Sequence, residues 1–311
     1  MEVSPVMKQI QIGTSPLFSG RLSLGCMRMA DKTVKEAAGV IEAASESGIN
    51  LFDHADIYGK GASEEIFRDA LKETSFKREE ILLQSKCGIR DGYFDFSKDH
   101  ILSSVDGILK RLGTDYLDTL LLHRPDTLME PEEVAEAFDT LAESGKVRVF
   151  GVSNQNQMQI ELLKRYVKQP LQINQLQLSL AHTPLIDAGL NVNMGNDPAV
   201  VRDGYLLEYS RLHDMTVQPW SPFQHGMIEG VFVDHPEFPE LNAALKETAE
   251  AKGVSKSAIA IAWLLHHPAK MQPVIGSMNP ERIREIAKAD GVTLTRPEWY
   301  ALYRAAGNDL P

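Results

Sequence analysis

The sequence predicts a (β/α)8 barrel of the TIM type, an α/β fold with a β-hairpin before the barrel and extra helices after it. Short apolar runs alternate with segments of helical periodicity along nearly the whole chain of 311 residues. The runs are typical of strands buried on both faces, and strand–helix alternation predicts a parallel sheet. Eight such units favour a closed barrel over an open sheet, and a barrel with extensions accounts for the full length. We therefore predict one domain over residues 1–311.

The hairpin and the first barrel strand come first. Lys8 to Ile12 alternates between polar and apolar side chains, and a Gly-Thr-Ser-Pro turn and a short return strand follow. Residues 22–25 are predicted as the first buried strand. The next helix, at about 33–47, ends before Gly48, a residue that favours the left-handed conformation found at helix ends.

Strands and helices then alternate to the end of the chain. Pro131 begins one helix and Gly145 follows its end, as the preferences of proline and glycine for these positions predict. A polar stretch at about 181–202 is predicted as a loop. The remaining predicted strands lie at 49–53, 81–86, 117–122, 147–152, 171–176, 215–220 and 272–275. The remaining predicted helices lie at 62–73, 98–112, 131–144, 157–167, 203–213, 238–252, 255–266, 280–289 and 296–306.

Composition limits the classes of partner. Apolar residues make up 43% and charged residues 24% of the chain, which is ordinary for a globular protein. The net charge of -11 argues against nucleic acid and anionic membranes as partners, whereas local basic groups can still bind an anionic cofactor. We expect a small-molecule substrate, no nucleic acid and no membrane, and the sequence makes no oligomeric partner evident.

The terminus and the cysteines bear on localisation. Met1 to Pro5 lacks a basic region followed by an apolar run, so we expect no signal peptide. No stretch approaches the length of a membrane-spanning helix. The two cysteines, Cys26 and Cys87, are too few for a disulfide framework. These features predict a cytoplasmic protein.

Four polar side chains stand where predicted strands end. Asp53 closes the apolar run from Ile49, and Tyr58 follows five positions later. Lys86 ends the next strand, and His123 follows the strand after that. Because the carboxyl ends of parallel barrel strands share one rim, where barrel active sites are built, we expect these groups to converge.

Their chemistry fits a proton donor to a carbonyl group that takes up hydride. A tyrosine is a poor acid at neutral pH because its ordinary pKa is about 10. We expect the Lys86 ammonium to lower the pKa of Tyr58 towards neutrality by charge attraction. Asp53 would hold Lys86 charged and oriented, and His123 would donate a hydrogen bond to the substrate oxygen. The predicted catalytic residues are therefore Asp53, Tyr58, Lys86 and His123.

Asp53, Tyr58, Lys86 and His123 in this order, with the motif Gly-Val-Ser-Asn at 151–154, resemble the aldo-keto reductases. The likeness extends from the hairpin to the last helix and is to the bacterial NADPH-dependent oxidoreductases of that family. It implies a (β/α)8 barrel enzyme that reduces an aldehyde or ketone by hydride transfer from NADPH, with Tyr58 as proton donor.

The resemblance also implies cofactor contacts. Ser153, Asn154 and Gln175 would hold the nicotinamide carboxamide, and Trp220 would stack on its ring. Residues 276–282 would lie around the adenosine 2′-phosphate. The full set implied to bind the cofactor is Gly25, Met27, Ser153, Asn154, Gln175, Trp220, Ser221, Pro222, Phe223, Gly276, Ser277, Asn279, Arg282 and Glu285.

The sequence departs from the family near the adenosine. Asn279 stands where many members have Lys, and Ile286 where others have Asn. NADPH selection therefore depends on Arg282, which lies on the first turn of a helix whose N–H groups and dipole favour an anion. One charge-assisted hydrogen bond from Arg282 predicts a preference for NADPH over NADH of about tenfold or more.

Two alternatives stay open. A non-catalytic barrel that senses the nucleotide and regulates a partner protein, as potassium-channel β subunits of this family do, would keep the same four residues. A metal-dependent barrel hydrolase is suggested by His54, Asp56, His123 and His182, but the first strand carries no His pair, and we predict no metal.

The substrate pocket is expected to be built from long loops and to be partly apolar. The loops lie at about 87–97, 124–130, 181–202 and 222–237. The aromatic side chains expected to line the pocket are Tyr93, Phe94, Phe96, Trp220 and Phe223.

Overall fold

A computed structural model gives the fold and describes residues 7–310. The expectation about a signal peptide in Met1 to Pro5 lies outside these residues. The strands in these residues are β1 Gln9–Gln11, β2 Phe18–Gly20, β3 Ser23–Gly25, β4 Leu51–Asp53, β5 Leu82–Cys87, β6 Leu117–Leu122, β7 Val147–Ser153, β8 Leu171–Gln177, β9 Thr216–Trp220 and β10 Val274–Ile275. Eight parallel strands close a barrel in the order β10-β3-β4-β5-β6-β7-β8-β9, and β1 and β2 pair antiparallel beside it. The predicted (β/α)8 barrel with an N-terminal hairpin is confirmed.

Eleven α-helices are present in residues 7–310, most of them on the connections between barrel strands. Their ends follow local sequence signals. Thr33 forms a capping box with Glu36 at the start of the first helix, and Gly113 ends the third in the left-handed conformation, with φ of 65°. The helices are α1 Val34–Glu46, α2 Ala62–Lys72, α3 Lys98–Leu112, α4 Pro131–Glu143, α5 Gln157–Lys164, α6 Pro184–Leu190, α7 Leu206–Leu212, α8 Pro239–Lys252, α9 Lys256–His266, α10 Pro280–Ala287 and α11 Arg296–Ala305.

Apolar side chains are buried in two clusters. The larger one fills the space between the strands and the surrounding helices. The smaller one joins Ile12 of the hairpin turn to Leu51, Leu121 and Ile173 of the barrel strands, with Leu17 packed against it. Since Leu51 begins β4, the hairpin closes the N-terminal end of the barrel and leaves the C-terminal end for a site.

The polar stretch at 181–202 differs from its prediction as a loop. It contains α6, which begins at Pro184 and buries Leu185 and Ile186. Proline at the first helical position and two buried residues specify this helix, but seven residues are too few for a helical periodicity to be read. Over residues 7–310, no helix combines the length and the apolar character needed to span a bilayer.

Candidate active site

The predicted catalytic groups meet at the C-terminal end of the barrel. Asp53 is the last residue of β4, and Tyr58 begins the short 3-10 helix that follows it. Lys86 lies near the end of β5, and His123 directly follows β6. Register places these strands side by side, so the four side chains point into one space above the barrel.

The Lys86 ammonium is fully buried and has three hydrogen-bond acceptors. Nζ donates to Asp53 Oδ2 at 2.8 Å, to the backbone carbonyl of His54 at 2.8 Å and to Tyr58 Oη at 3.1 Å. An ammonium has three N–H bonds, so its donor capacity is used in full. Burial lowers the pKa of Lys86, but Asp53 and then Tyr58 raise it by more in sum, and the net pKa lies above its ordinary value. Lys86 is therefore charged at neutral pH.

Tyr58 corrects one expectation. Burial raises the pKa of its phenol by more than the Lys86 charge lowers it, and Asp53 adds to the rise. The prediction of a net shift towards neutrality is wrong, because sequence identifies the neighbouring ammonium but not the extent of burial. Tyr58 consequently keeps its proton at neutral pH, while Lys86 remains placed to stabilise the phenolate once the proton leaves.

His123 stands edge-on to Tyr58, with ring centroids 6.1 Å apart and planes at 82°. Burial, and then the charges of Lys86 and Arg124, hold the pKa of His123 well below its ordinary value. Its Nδ1 is buried without a hydrogen-bond partner in residues 7–310, while the ring lines the cavity above the barrel. A neutral imidazole beside the phenol can donate a hydrogen bond to an oxygen in the cavity.

Inside the barrel, four glutamines form a hydrogen-bonded chain below Asp53. Gln84 Nε2 donates to Asp53 Oδ1 at 2.6 Å, and Gln175 Nε2 donates to the same oxygen at 3.2 Å. Gln84 and Gln218 exchange two amide hydrogen bonds of 2.8 and 3.1 Å. Gln218 Nε2 also donates to Gln272 Oε1 at 2.9 Å. No glutamine other than Gln175 was predicted to belong to the site.

The orientation of these amides is set by Gln272, at the end of the hydrogen-bonded series farthest from Asp53. Gln272 Nε2 donates at 2.8 Å to the backbone carbonyl of Gly20, an oxygen that can only accept. Gln272 Oε1 must then accept from Gln218, and the remaining amides follow in turn. A flipped Gln84 would place its oxygen against the Asp53 carboxylate. The hydrogen-bonded glutamines therefore present only N–H groups to Asp53.

A cavity of about 430 Å³ lies over the catalytic groups. Asp53, Tyr58 and His123 line it, and Lys86 lies beneath them, fully buried. Most of the residues that the family resemblance implies for the cofactor also line it. They are Gly25, Met27, Ser153, Asn154, Gln175, Trp220, Ser221, Pro222, Phe223, Gly276, Ser277 and Arg282.

Asn279 and Glu285 are the two cofactor predictions that do not line the cavity. Asn279 caps α10, where its Oδ1 accepts the backbone N–H of Arg282 at 3.1 Å. Glu285 instead pairs with Lys288 at 2.5 Å. The Asn279 side chain occupies one backbone N–H at the start of α10, and Pro280 has no N–H. Fewer free N–H groups than expected therefore remain at this helix end to bind a phosphate. Arg282 itself is exposed at the cavity edge.

Two residues at the cavity have a backbone conformation that is rare outside glycine. Asn154 follows β7 with φ of 57°, and Ser221 follows β9 with φ of 52°. Asn154 Oδ1 accepts the indole N–H of Trp220 at 3.1 Å, which fixes the ring over the strand ends. Backbone strain of this kind is concentrated at functional sites, where surrounding structure maintains it.

The walls of the cavity differ from the predicted pocket. Tyr93, Phe94 and Phe96 do not line it, and the stretch at 181–202 contributes nothing to it. Phe96 is buried against Gly88 in the loop after β5. The other three predicted loops do contribute, through Ile89, Arg124, Gln224, Ile228, Val231, Val233 and Asp234. Lining residues outside the predicted loops and the predicted site are Arg28, Ile57, Ser257, Val274 and Ile286.

His54 and Asp56 do not line the cavity. Burial, and then Lys86, lower the pKa of His54 to about 3, while burial and the charge of Glu64 raise that of Asp56 to about 6. Cys26 and Cys87 are also buried, as free thiols. In the part of the chain from 7 to 310, no three His, Cys, Asp or Glu side chains form a group that could hold a metal ion.

The cavity fits a nicotinamide dinucleotide. Gln175 donates both amide N–H groups to Asp53 and Gln218, and its Oε1 accepts no hydrogen bond within residues 7–310, so that oxygen can accept one from a ligand amide. Trp220 presents an aromatic face, and the guanidinium of Arg282 stands at the α10 edge. The volume lies in the usual range for ligand sites, about 300–1,000 Å³. These groups match a carboxamide, a flat ring and a phosphate.

Comparisons with known proteins identify the family. The model of the Aldo/keto reductase family matches residues 10–305. The uncharacterized oxidoreductase YcsN of Bacillus subtilis is 36% identical, and the match covers 98% of this chain and 100% of the relative. A 6-dehydroglucose reductase of Agrobacterium fabrum is also 36% identical, over 92% of this chain and 94% of the relative. The oxidoreductase YdhF of Escherichia coli is 35% identical, over 95% and 96%.

A solved structure shares the fold. A crystal structure of a thermostable aldo-keto reductase in complex with the inhibitor epalrestat aligns with a TM-score of 0.76, over 96% of this chain and 100% of that chain. Its sequence identity of 24% limits the likeness to architecture.

Proposed function

The chain belongs to the aldo/keto reductase family, a family of nicotinamide-dependent oxidoreductases, and on that premise we propose that it reduces an aldehyde or ketone with NADPH, with Tyr58 as the proton donor. One observation carries the proposal. A fully buried ammonium, Lys86, bonds at once to a carboxylate, Asp53, and to a phenol that lines the cavity. This arrangement prepares a proton donor at the place where a carbonyl oxygen can reach it.

Tyr58 would act only when the substrate demands a proton. Its raised pKa keeps the phenol protonated, so proton transfer follows the growth of negative charge on the carbonyl oxygen. Lys86, 3.1 Å from Tyr58 Oη, then stabilises the phenolate. Asp53 keeps Lys86 charged and in place, and it is itself fixed from below by Gln84.

His123 would orient the substrate carbonyl. Because its pKa is held low, it is neutral and donates a hydrogen bond rather than a proton. A neutral donor beside Tyr58 favours the carbonyl oxygen and its partial negative charge without competing for the proton transfer.

NADPH, when bound, supplies the hydride to the carbonyl carbon. Gln175 and Asn154 are the residues that we propose for its carboxamide, and Trp220 for its ring. Arg282 and Ser277 are proposed for the 2′-phosphate, without the direct help of Asn279, whose side chain caps α10. An arginine can bind phosphate oxygens in a bidentate way, which supports NADPH over NADH.

The names of two relatives support a small carbonyl compound as the substrate. The Agrobacterium fabrum protein and a second one from Novosphingobium aromaticivorans, 33% identical over 97% of this chain, are both called 6-dehydroglucose reductase. We propose small carbonyl compounds as the substrate class.

A panel of aldehydes and ketones, assayed by the loss of NADPH absorbance, tests the proposal. We expect NADPH-dependent reduction of several members. Tight NADPH binding with no reduction of any member would instead support the nucleotide-sensing alternative, and the absence of both binding and reduction would contradict the proposed function.

A further inference from the structure

Arg124 is a cavity residue to which no role has been assigned. It follows His123 at the end of β6, is half-buried, and lines the cavity. Its guanidinium carbon lies 5.6 Å from the centroid of the Trp220 ring. Burial lowers the pKa of Arg124, and Tyr58 partly offsets this.

The Arg124 guanidinium forms no hydrogen bond and no salt bridge with any residue between 7 and 310, which sets it apart from the other arginines of intermediate exposure. Each of those pairs with a carboxylate. They are Arg21 with Asp290, Arg68 with Asp69, Arg78 with Asp118 and Arg111 with Glu64. A partly buried cation without a partner is costly, since burial removes hydration that no protein group replaces.

The cavity itself offers Arg124 no carboxylate. Its acidic lining residues are Asp53 and Asp234, and both are engaged, with Lys86 and Lys256 respectively. The cavity lining also includes apolar side chains such as Ile57 and Ile89. A desolvated guanidinium in such a wall forms strong bidentate hydrogen bonds with an anion.

We infer that the cavity accepts carbonyl compounds that carry a carboxylate, and that Arg124 binds this carboxylate while the carbonyl group meets Tyr58 and His123. The inference rests on the proposed function and names its substrate class. The apolar residues that line the cavity suit a hydrocarbon spacer between the two groups. Arg124 is thereby a specificity-determining residue, whose contact is with the distal end of the substrate.

Matched substrates separate charge from size. The assay compares 4-carboxybenzaldehyde with its methyl ester, methyl 4-formylbenzoate, and 3-carboxybenzaldehyde with the corresponding ester, all with NADPH. One charge-assisted hydrogen bond corresponds to about 10- to 150-fold. We therefore expect kcat/KM for at least one acid to exceed that for its ester by about tenfold or more.

Two substitutions locate the effect. Arg124→Met should reduce the acid-to-ester ratio to near one, and Arg124→Lys should retain part of it because the charge remains. Arg28→Met is the matched control, since Arg28 lines the same cavity and its removal changes the net charge equally. The ratio in this control should stay at the wild-type value.

Several results would overturn the inference. If the wild type reduced the esters as well as the acids, the inference would fail and the proposed function would stand. The same conclusion would follow if the preference for acids survived in Arg124→Met. A loss of NADPH affinity in Arg124→Met without a change in the ratio would assign the residue to the cofactor instead. Arg124→Met could also lower kcat/KM for glyceraldehyde, a neutral aldehyde with hydroxyl groups, more than kcat/KM for the acids. That result would assign Arg124 to the binding of substrate hydroxyl groups.

A binding measurement covers the case in which no carbonyl compound is reduced. The proposed function would then fail, and binding of benzoate to the NADPH complex, followed by tryptophan fluorescence, would decide the anion site. Weaker benzoate binding in Arg124→Met than in Arg28→Met supports the site. Equal binding in both variants contradicts it.

Discussion

The floor and the outer end of the cavity are built in opposite ways. The floor, formed by Asp53, Lys86 and the glutamines below them, is buried, and its ammonium and carboxylate are fully engaged with one another and with amide groups. The outer end, formed by residues 276–282, is largely accessible, and the Arg282 guanidinium has no salt bridge among residues 7–310.

The difference indicates how each region works. A buried polar network that is satisfied within the protein holds one geometry before a ligand arrives, as a proton-transfer site requires. An exposed donor without a protein partner contributes little until an anion reaches it, and then provides binding energy. We expect substitutions in the floor to affect stability and chemistry together, and substitutions in the outer end to affect cofactor choice alone.

Lys86→Met should produce the largest effect. It leaves the Asp53 carboxylate buried at 2% exposure without its counter-charge, and such losses cost about 3–5 kcal/mol of unfolding free energy. It also removes the group that stabilises the phenolate of Tyr58, so reduction should become undetectable. Urea unfolding and NADPH oxidation measure the two effects.

The double variant Lys86→Met with Asp53→Asn separates the effect on stability from the effect on activity. The amide introduced by Asp53→Asn would be neutral and could still accept a hydrogen bond from Gln84, so most of the lost stability should return. Activity should stay absent. Recovery of activity along with stability would mean that the ion pair serves only folding.

Gln84→Met should have an intermediate effect. It removes the N–H donor 2.6 Å from Asp53 Oδ1 and both hydrogen bonds between Gln84 and Gln218. We expect a loss of about 1–3 kcal/mol in unfolding free energy and a measurable fall in kcat.

Gln272→Met is the control for Gln84→Met. Gln272 belongs to the same chain of amides but bonds to Gln218, Ser19 and Gly20 rather than to Asp53. It should lower stability similarly and change kcat less. Equal falls in kcat would show that Asp53 responds to packing in general and not to the N–H donor beside it.

Arg282→Ala should have the smallest effect on the protein as a whole. The dissociation constant for NADPH should rise about tenfold, while that for NADH and the unfolding free energy stay nearly constant. Arg284→Ala is the matched control on the same helix, because Arg284 bonds to Glu46 and does not line the cavity. Equal wild-type affinities for NADH and NADPH would remove the contrast between the two regions.

Sequence patterns predicted the barrel because strand–helix alternation, caps and turn residues repeat along the chain. They also predicted that Asp53, Lys86 and His123 meet at one end of the barrel, since each of them lies at the end of a short apolar run. The seven-residue helix α6 was missed because it is too short to show a period. Boundaries of the other helices and strands differ from prediction by a few residues, as competing end signals allow.

The rest of the site depends on contacts between distant parts of the chain. Gln84 lies in β5, Gln218 lies in β9 and Gln272 precedes β10, and nothing in each segment alone indicates that their amides meet. The pKa direction of Tyr58 required the extent of its burial, which outweighs the Lys86 charge. Asn279 was predicted to face a phosphate, whereas its role as helix cap follows from the local geometry of α10.

The most direct test of the central claim is the rate of carbonyl reduction by Tyr58→Phe, measured with NADPH at saturation beside the NADPH dissociation constant. The variant keeps the ring and removes only the hydroxyl group, and general acid catalysis contributes about 10²- to 10⁴-fold. We predict a fall in kcat of that size with cofactor affinity unchanged within a few-fold. In the wild type, kcat for reduction should stay constant through neutral pH and fall only as pH rises above about 10, since the raised pKa of Tyr58 keeps the donor protonated below it. Turnover by Tyr58→Phe at a rate comparable to the wild type would contradict the account, because another group would then supply the proton.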